Sequence, residues 1–149
     1  MLIETSSNAE RCWLTIHTQM GPYLLCCWYR PPAHGDLSTI VSFQTEYETL
    51  ASEALGTIVV GDLNVHHQRW LVHSSGTTAA GTALCATVQE MGLQQLVQQP
   101  TRGAYLLDLV LSDVPGTRAE VLGKISDHNM VLASVPLSIP KEMAIEREV

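Results

Sequence analysis

Residues 57–64 read Thr-Ile-Val-Val-Gly-Asp-Leu-Asn. A short, β-branched, wholly apolar run is the signature of a central strand covered on both faces. It stops at a glycine and then presents Asp62 and Asn64, two polar residues that strand propensity does not require. Alternation with period two would put both on one side of the chain, although Asp and Asn also simply begin turns.

The neighbouring segments extend this reading. Upstream, Arg11–Thr18 alternates as a half-buried strand does. Gly21-Pro22 punctuates it, and Tyr23–Tyr29 is a second apolar run, which makes a hairpin. Pro31 and Pro32 cannot donate to a ladder and end that strand. Leu37–Leu55 carries apolar residues at helical spacing, with Asp36 or Ser38 placed to cap it and Gly56 to stop it. Downstream, Thr77/Thr78 open a second helix that runs to about Met91. Short strands are expected at Leu93–Val97, Leu106–Ser112, Arg118–Leu122 and Asn129–Leu137. Many strands, few helices and neighbouring hairpins favour mixed sheets covered by helices over a doubly wound parallel sheet.

The chain has 149 residues, 46% hydrophobic and 15% charged, with net charge −7. These values fit one globular domain and exclude collagen, coiled coil and intrinsic disorder. No apolar run approaches the ~20 residues of a membrane helix, and the first residues lack the pattern of a secretory signal. The expected location is therefore intracellular, nuclear or cytoplasmic, with no membrane partner. Cys12, Cys26, Cys27 and Cys85 show no CxxC spacing and read as small buried hydrophobes. The acidic balance counts against tight binding of nucleic acid, which rests on Lys and Arg at phosphates.

Two further strand ends carry polar residues. Ser126-Asp127-His128 precedes the last strand, and a carboxylate beside an imidazole can fix its tautomer and raise its basicity. Asp108 sits between Leu107 and Leu109, where an acid is costly unless paired, and His128 is a natural partner.

Taken in order, WYRPP (residues 28–32), GDLNVHHQRW (61–70), QPTRGAYLLDLVLSD (99–113) and SDH (126–128) resemble the endonuclease/exonuclease/phosphatase superfamily. The details are most like the endonuclease domains of non-LTR retrotransposons. The resemblance spans about Arg11 to Leu137. It implies an α+β, four-layer sandwich of two mixed β-sheets flanked by helices, with residues 1–140 forming the domain and 141–149 an exposed charged tail.

It also implies the chemistry: Mg²⁺- or Mn²⁺-dependent cleavage of DNA to a 3′-hydroxyl and a 5′-phosphate. His128 would act as base with Asp108 holding its ring. Asp62 would assist proton transfer, and Asn64 and Tyr29 would bind the scissile phosphate. Asp127 would be a metal-site or His-supporting carboxylate, and Thr101, Arg30 and Arg102 would touch phosphate or DNA. A fused or missing reverse transcriptase region is the implied partner.

The family pattern also contains an Asn and a metal-binding Glu well upstream of the Tyr-Arg-Pro strand. Only 28 residues precede Tyr29, read as one hairpin. Glu4 mimics the Gln-Glu-Thr pattern superficially. The expectation is a fold incomplete at its N-terminus, a weakly held metal, and weak or absent activity. The alternatives are a non-catalytic remnant of such a domain and a small-molecule phosphatase. His66, His67 and His73 read as loop histidines packing near Trp70, since adjacent histidines do not easily share one zinc ion.

Overall fold

A computed structural model describes residues 2–32 and 36–138; the tail expected at 141–149 lies outside them. Eight strands and two helices follow in the order β1 (Leu2–Thr5), β2 (Glu10–Thr18), β3 (Gly21–Tyr29), α1 (Ser38–Leu50), β4 (Thr57–Asp62), α2 (Ala79–Glu90), β5 (Gln94–Gln95), β6 (Asp108–Ser112), β7 (Arg118–Lys124) and β8 (Asn129–Ser134). Six strands form one sheet in the order β1-β2-β3-β4-β6-β5, and β7-β8 form a second. Within the large sheet β3 and β4 are parallel and every other pair is antiparallel. The parallel pair is joined through α1, as a crossover connection requires.

Three of the four expected layers lie within the described residues. Both helices touch each other over one face of the large sheet. On the other face, Ala119, Val121, Val131 and Ala133 of the β7-β8 hairpin pack against the core. The hairpin's outer face leaves Met130 and Leu132 exposed. No described helix is long and apolar enough to cross a membrane.

Aromatic packing fixes α1. Phe43 stacks on Trp13 at 5.7 Å and on Trp28 at 4.8 Å between ring centroids. Arg11 lies over Trp28 and pairs with Glu46 at 2.8 Å, and Trp13 Nε1 donates to the same carboxylate. The helix ends at Leu50, five residues short of the expected stop, and continues as a 3₁₀ turn over Ala51–Glu53. The Leu55 amide donates to Pro22 O at 2.8 Å, and this bond draws the chain off the helix and onto the start of β3. Asp36 caps α1 from one residue outside, its Oδ1 accepting the Ser38 amide. α2 is capped as expected, by Thr78 Oγ1 accepting from the Gly81 amide at 3.0 Å.

The first 28 residues hold more than one hairpin, because β1 adds an edge strand antiparallel to β2. With β2 and β3 between it and β4, the backbone of Glu4 lies about 14 Å across the sheet from the strand that carries Asp62. β3 and β4 run unusually close at Gly61, where an added Cβ would meet Trp28 O at 1.6 Å. The four cysteines are free; Cys26 and Cys85 are buried, while Cys12 and Cys27 are only half-buried.

Candidate active site

Asp62 ends β4 and Asp108 begins β6, and the two are register partners. Both therefore face the β7-β8 layer from adjacent positions on one face of the sheet. Like charges directly opposite are unfavourable, so the pair calls for a cation. His128 supplies one from the second sheet: Nδ1 lies 2.8 Å from Asp108 Oδ2, and Nε2 lies 3.6 Å from Asp62 Oδ2. Because a carboxylate only accepts, Nδ1 carries the proton and Nε2 is left with its lone pair. The side chains are 26%, 22% and 17% exposed for His128, Asp108 and Asp62, so the site is open to solvent but mostly screened by protein.

Burial opposes the charged imidazolium. The Asp108 hydrogen bond and charge, followed by Asp62 and Asp127, outweigh it and raise the His128 pKa above its ordinary value. Burial and then the Asp108 charge push the Asp62 carboxyl above the usual range, against the pull of His128, the Asn64 amide and Arg102. Asp62 Oδ1 is buried with no hydrogen-bond partner among the described residues.

Thr101 is the hub that brings the two sheets together. It is fully buried, and its Oγ1 accepts the amides of Leu107 at 3.1 Å and Asp108 at 3.0 Å. Its carbonyl accepts the amide of Asn129, the residue after His128, at 2.6 Å. Asn129 Nδ2 donates to Pro100 O at 3.2 Å. These bonds start β6 at Asp108 rather than Leu106 and seat His128 over it. Sequence reasoning treated Asn129 only as the first residue of a strand; its signal was a polar amide placed directly after the Asp-His pair.

Several expected contacts are placed differently. Thr101, expected at phosphate, is enclosed and satisfied by backbone amides, so it positions Asp108 instead of reaching a substrate. Asp127, expected as a metal ligand, is 64% exposed and pairs with Arg102 at 3.3 Å, outside the Asp62–Asp108–His128 group. Arg30, expected to touch phosphate or DNA, is 2% exposed, and its Nη2 donates to Asp36 O on the helix side of the sheet. Strand alternation does not relate Asn64 to Asp62, because β4 has ended and Asn64 is left-handed at φ 48°, a conformation asparagine tolerates. Asn64 Nδ2 donates one hydrogen to Arg30 O at 2.8 Å, which leaves the second available. Tyr29 ends β3 with 46% exposure, and the next residue's amide donates to Asp62 O, so Tyr29 stands beside Asp62.

His66 and His67 work within their loop. The Nδ1 of His67 accepts the Trp70 amide at 3.0 Å, and that of His66 accepts the Ser75 amide at 3.1 Å. Among the described residues, the group of acids, histidines or cysteines close enough to hold a metal is Asp62, Asp108 and His128, with ligand atoms within 4.8 Å of one another. Mg²⁺ prefers oxygen and keeps several waters, needing only one or two carboxylates besides substrate phosphate. Asp62 and Asp108 offer two carboxylates for it, with Asp108 Oδ2 engaged by His128 Nδ1.

The endonuclease-reverse transcriptase family model matches residues 23–132. No curated protein sequence matches. Among solved structures, the chain is similar to the endonuclease domain of TRAS1, a telomere-specific non-LTR retrotransposon, with TM-score 0.70 and 22% identity over 92% of this chain and 69% of that one. It is also similar to a mannosyl-6-phosphatase of Bacteroides thetaiotaomicron, with TM-score 0.56 and 13% identity over 84% of this chain and 56% of that one. An endonuclease/exonuclease/phosphatase family protein of the same organism gives TM-score 0.58 and 14% identity over 86% and 56%. At these identities the likeness shows the fold.

Proposed function

The chain belongs to the endonuclease-reverse transcriptase family, and from that membership and the site geometry we propose that it is a divalent-metal-dependent phosphodiester hydrolase acting on DNA. The observation that carries this reading is the bracketing of His128, with Nδ1 held by Asp108 and Nε2 turned toward Asp62. Hydrolysis needs a positioned water, a base for its proton, and stabilisation of charge on the phosphoryl oxygens. His128 Nε2 takes the proton from water. Asp108 holds the ring in the required tautomer and stabilises the imidazolium that forms. The 3.6 Å between Nε2 and Asp62 Oδ2 is too long for a direct hydrogen bond, so Nε2 keeps its lone pair for the attacking water.

Asp62 Oδ2 turns toward the same space as Nε2 and assists proton transfer there by orienting the nucleophile or the leaving oxygen. Asn64 offers its free Nδ2 hydrogen and Tyr29 its hydroxyl to the scissile phosphate. Asp62, together with the substrate phosphate, would hold a divalent ion, which would supply Lewis-acid stabilisation of the developing charge. A reverse transcriptase region, on the same or another polypeptide, is the partner this reading calls for.

A second reading, a non-catalytic remnant that binds without cutting, is favoured by one observation: Asp62 is the one carboxylate of the group not engaged in a hydrogen bond to His128. A supercoiled-plasmid assay with Mg²⁺ separates the two. Nicks that DNA ligase reseals carry a 3′-hydroxyl and 5′-phosphate and support hydrolysis; DNA retention with no nicking at any Mg²⁺ concentration supports the remnant.

A further inference from the structure

Cys12 of β2 and Cys27 of β3 are register partners in an antiparallel pair. Residues opposed in this way have Cα atoms about 4.5–5.5 Å apart, inside the range of about 4.4–6.8 Å that a disulfide spans. Their side chains leave the sheet on the same face. Both thiols are free and half-buried, so neither is sealed from solvent. They also sense each other. Burial, and then Cys12 through its charge and a side-chain hydrogen bond, push the Cys27 thiol above its ordinary value. The other two cysteines are placed differently. Cys26 follows the alternation of β3 to the opposite face, where it opposes Trp13 and is fully buried. Cys85 is buried on α2.

We propose that Cys12 and Cys27 form an oxidative-modification site, converted by hydrogen peroxide to a disulfide that ties β2 to β3. One sulfur attacks a peroxide oxygen, the O–O bond breaks, and a sulfenic acid and one water result. The second sulfur then attacks the sulfenic sulfur. The S–S bond forms, the S–O bond breaks, and the hydroxyl leaves with the second thiol's proton as another water. Each peroxide thus oxidises two thiols and is itself reduced to two waters. Thiolate is the attacking form, and a thiol pushed up by burial is mostly protonated, so the reaction is slow. Its second step is intramolecular, between groups already opposed. The bond lies on the sheet face that carries the candidate active site. Cys27 is the register partner of Val60, and alternation puts Tyr29 and Asp62, each two residues further on, on that same face. The thiol chemistry is independent of the function proposed above.

The test treats the reduced full chain with hydrogen peroxide, denatures it in N-ethylmaleimide and weighs it by mass spectrometry. The expected product is a monomer that takes up maleimide on Cys26 and Cys85 alone, whereas the untreated chain takes it up on all four cysteines. Cyanogen bromide cuts after Met20 and Met91, and fragments 2–20 and 21–91 stay joined until a reductant parts them. Cys12→Ser and Cys27→Ser each abolish the joined fragments, and Cys85→Ala retains them. Where a variant folds poorly, the maleimide map of the wild-type chain identifies the pair without it. Maleimide on all four cysteines after peroxide, a sulfinic acid in place of the disulfide, a bond that includes Cys26 or Cys85, or disulfide-linked dimers would each overturn the proposal.

Discussion

His128 and Asp108 meet across the gap between the two sheets, Nδ1 to Oδ2 at 2.8 Å, although 20 residues separate them in sequence. The bond decides which ring nitrogen is free. His128→Ala removes the base, and a drop of about 10²–10⁴-fold in plasmid nicking is expected. Asp108→Asn leaves the ring in place but removes the charge that favours imidazolium. The His128 pKa then falls, as read from the pH dependence of its ring proton resonances by NMR.

The pH dependence follows from the direction of that shift. His128 has a folded-state pKa above its ordinary value of 6.5. Its unprotonated form, required of a base, therefore accumulates only above that value, and the acidic limb of the nicking profile lies on the alkaline side of pH 6.5. Stability runs the other way. The pairing stabilises the fold fully below the unfolded-state pKa, and that contribution is lost as pH rises through the folded-state value. Urea midpoints measured across pH 5 to 9 in wild type and His128→Gln, with the difference shrinking toward high pH, check this sign.

Asp62 keeps a buried oxygen without a partner and faces a second carboxylate in register. Asp62→Asn is expected to abolish nicking while raising the thermal midpoint by about 2–4 °C, since an active-site charge is held at the expense of stability. Calorimetry in metal-free buffer reads the second effect.

Thr101 and Glu46 test the scaffold. Thr101→Val leaves the Leu107 and Asp108 amides without their acceptor and costs about 1–3 kcal/mol for each buried group left unmet; chemical denaturation measures it. Glu46→Ala strands Arg11, whose side chain is fully buried, and is expected to cost about 3–5 kcal/mol. For Glu46, burial is outweighed by hydrogen bonds from Arg11 and Trp13 and by the Arg11 charge, so its pKa is lowered. That stabilisation is present above the ordinary value of 4.5 and is lost as pH falls through the folded-state value, which predicts acid unfolding that sets in below pH 4.5.

Much of this molecule was legible in its sequence. The apolar run Thr57–Val60 and the Asp within Leu106–Ser112 were readable because burial on both faces leaves a continuous hydrophobic signal, against which an acid stands out. The boundaries that failed were set by contacts from elsewhere: Leu55 bonding Pro22 shortened α1, and Thr101 capturing the Leu107 and Asp108 amides delayed β6. β1 was missed because an edge strand of four residues carries little periodicity. The roles of Arg30, Asp127 and Asn129 depend on which way a side chain turns and what lies across a sheet, and local sequence does not encode either.

The most direct test of the account is an Mg²⁺ titration of supercoiled-plasmid nicking by the chain and by His128→Ala. One carboxylate free for metal predicts slow nicking that continues to rise into millimolar Mg²⁺ and falls at least about 100-fold in the variant. Nicking that is equal in both proteins, or absent from wild type at every Mg²⁺ concentration, would contradict it.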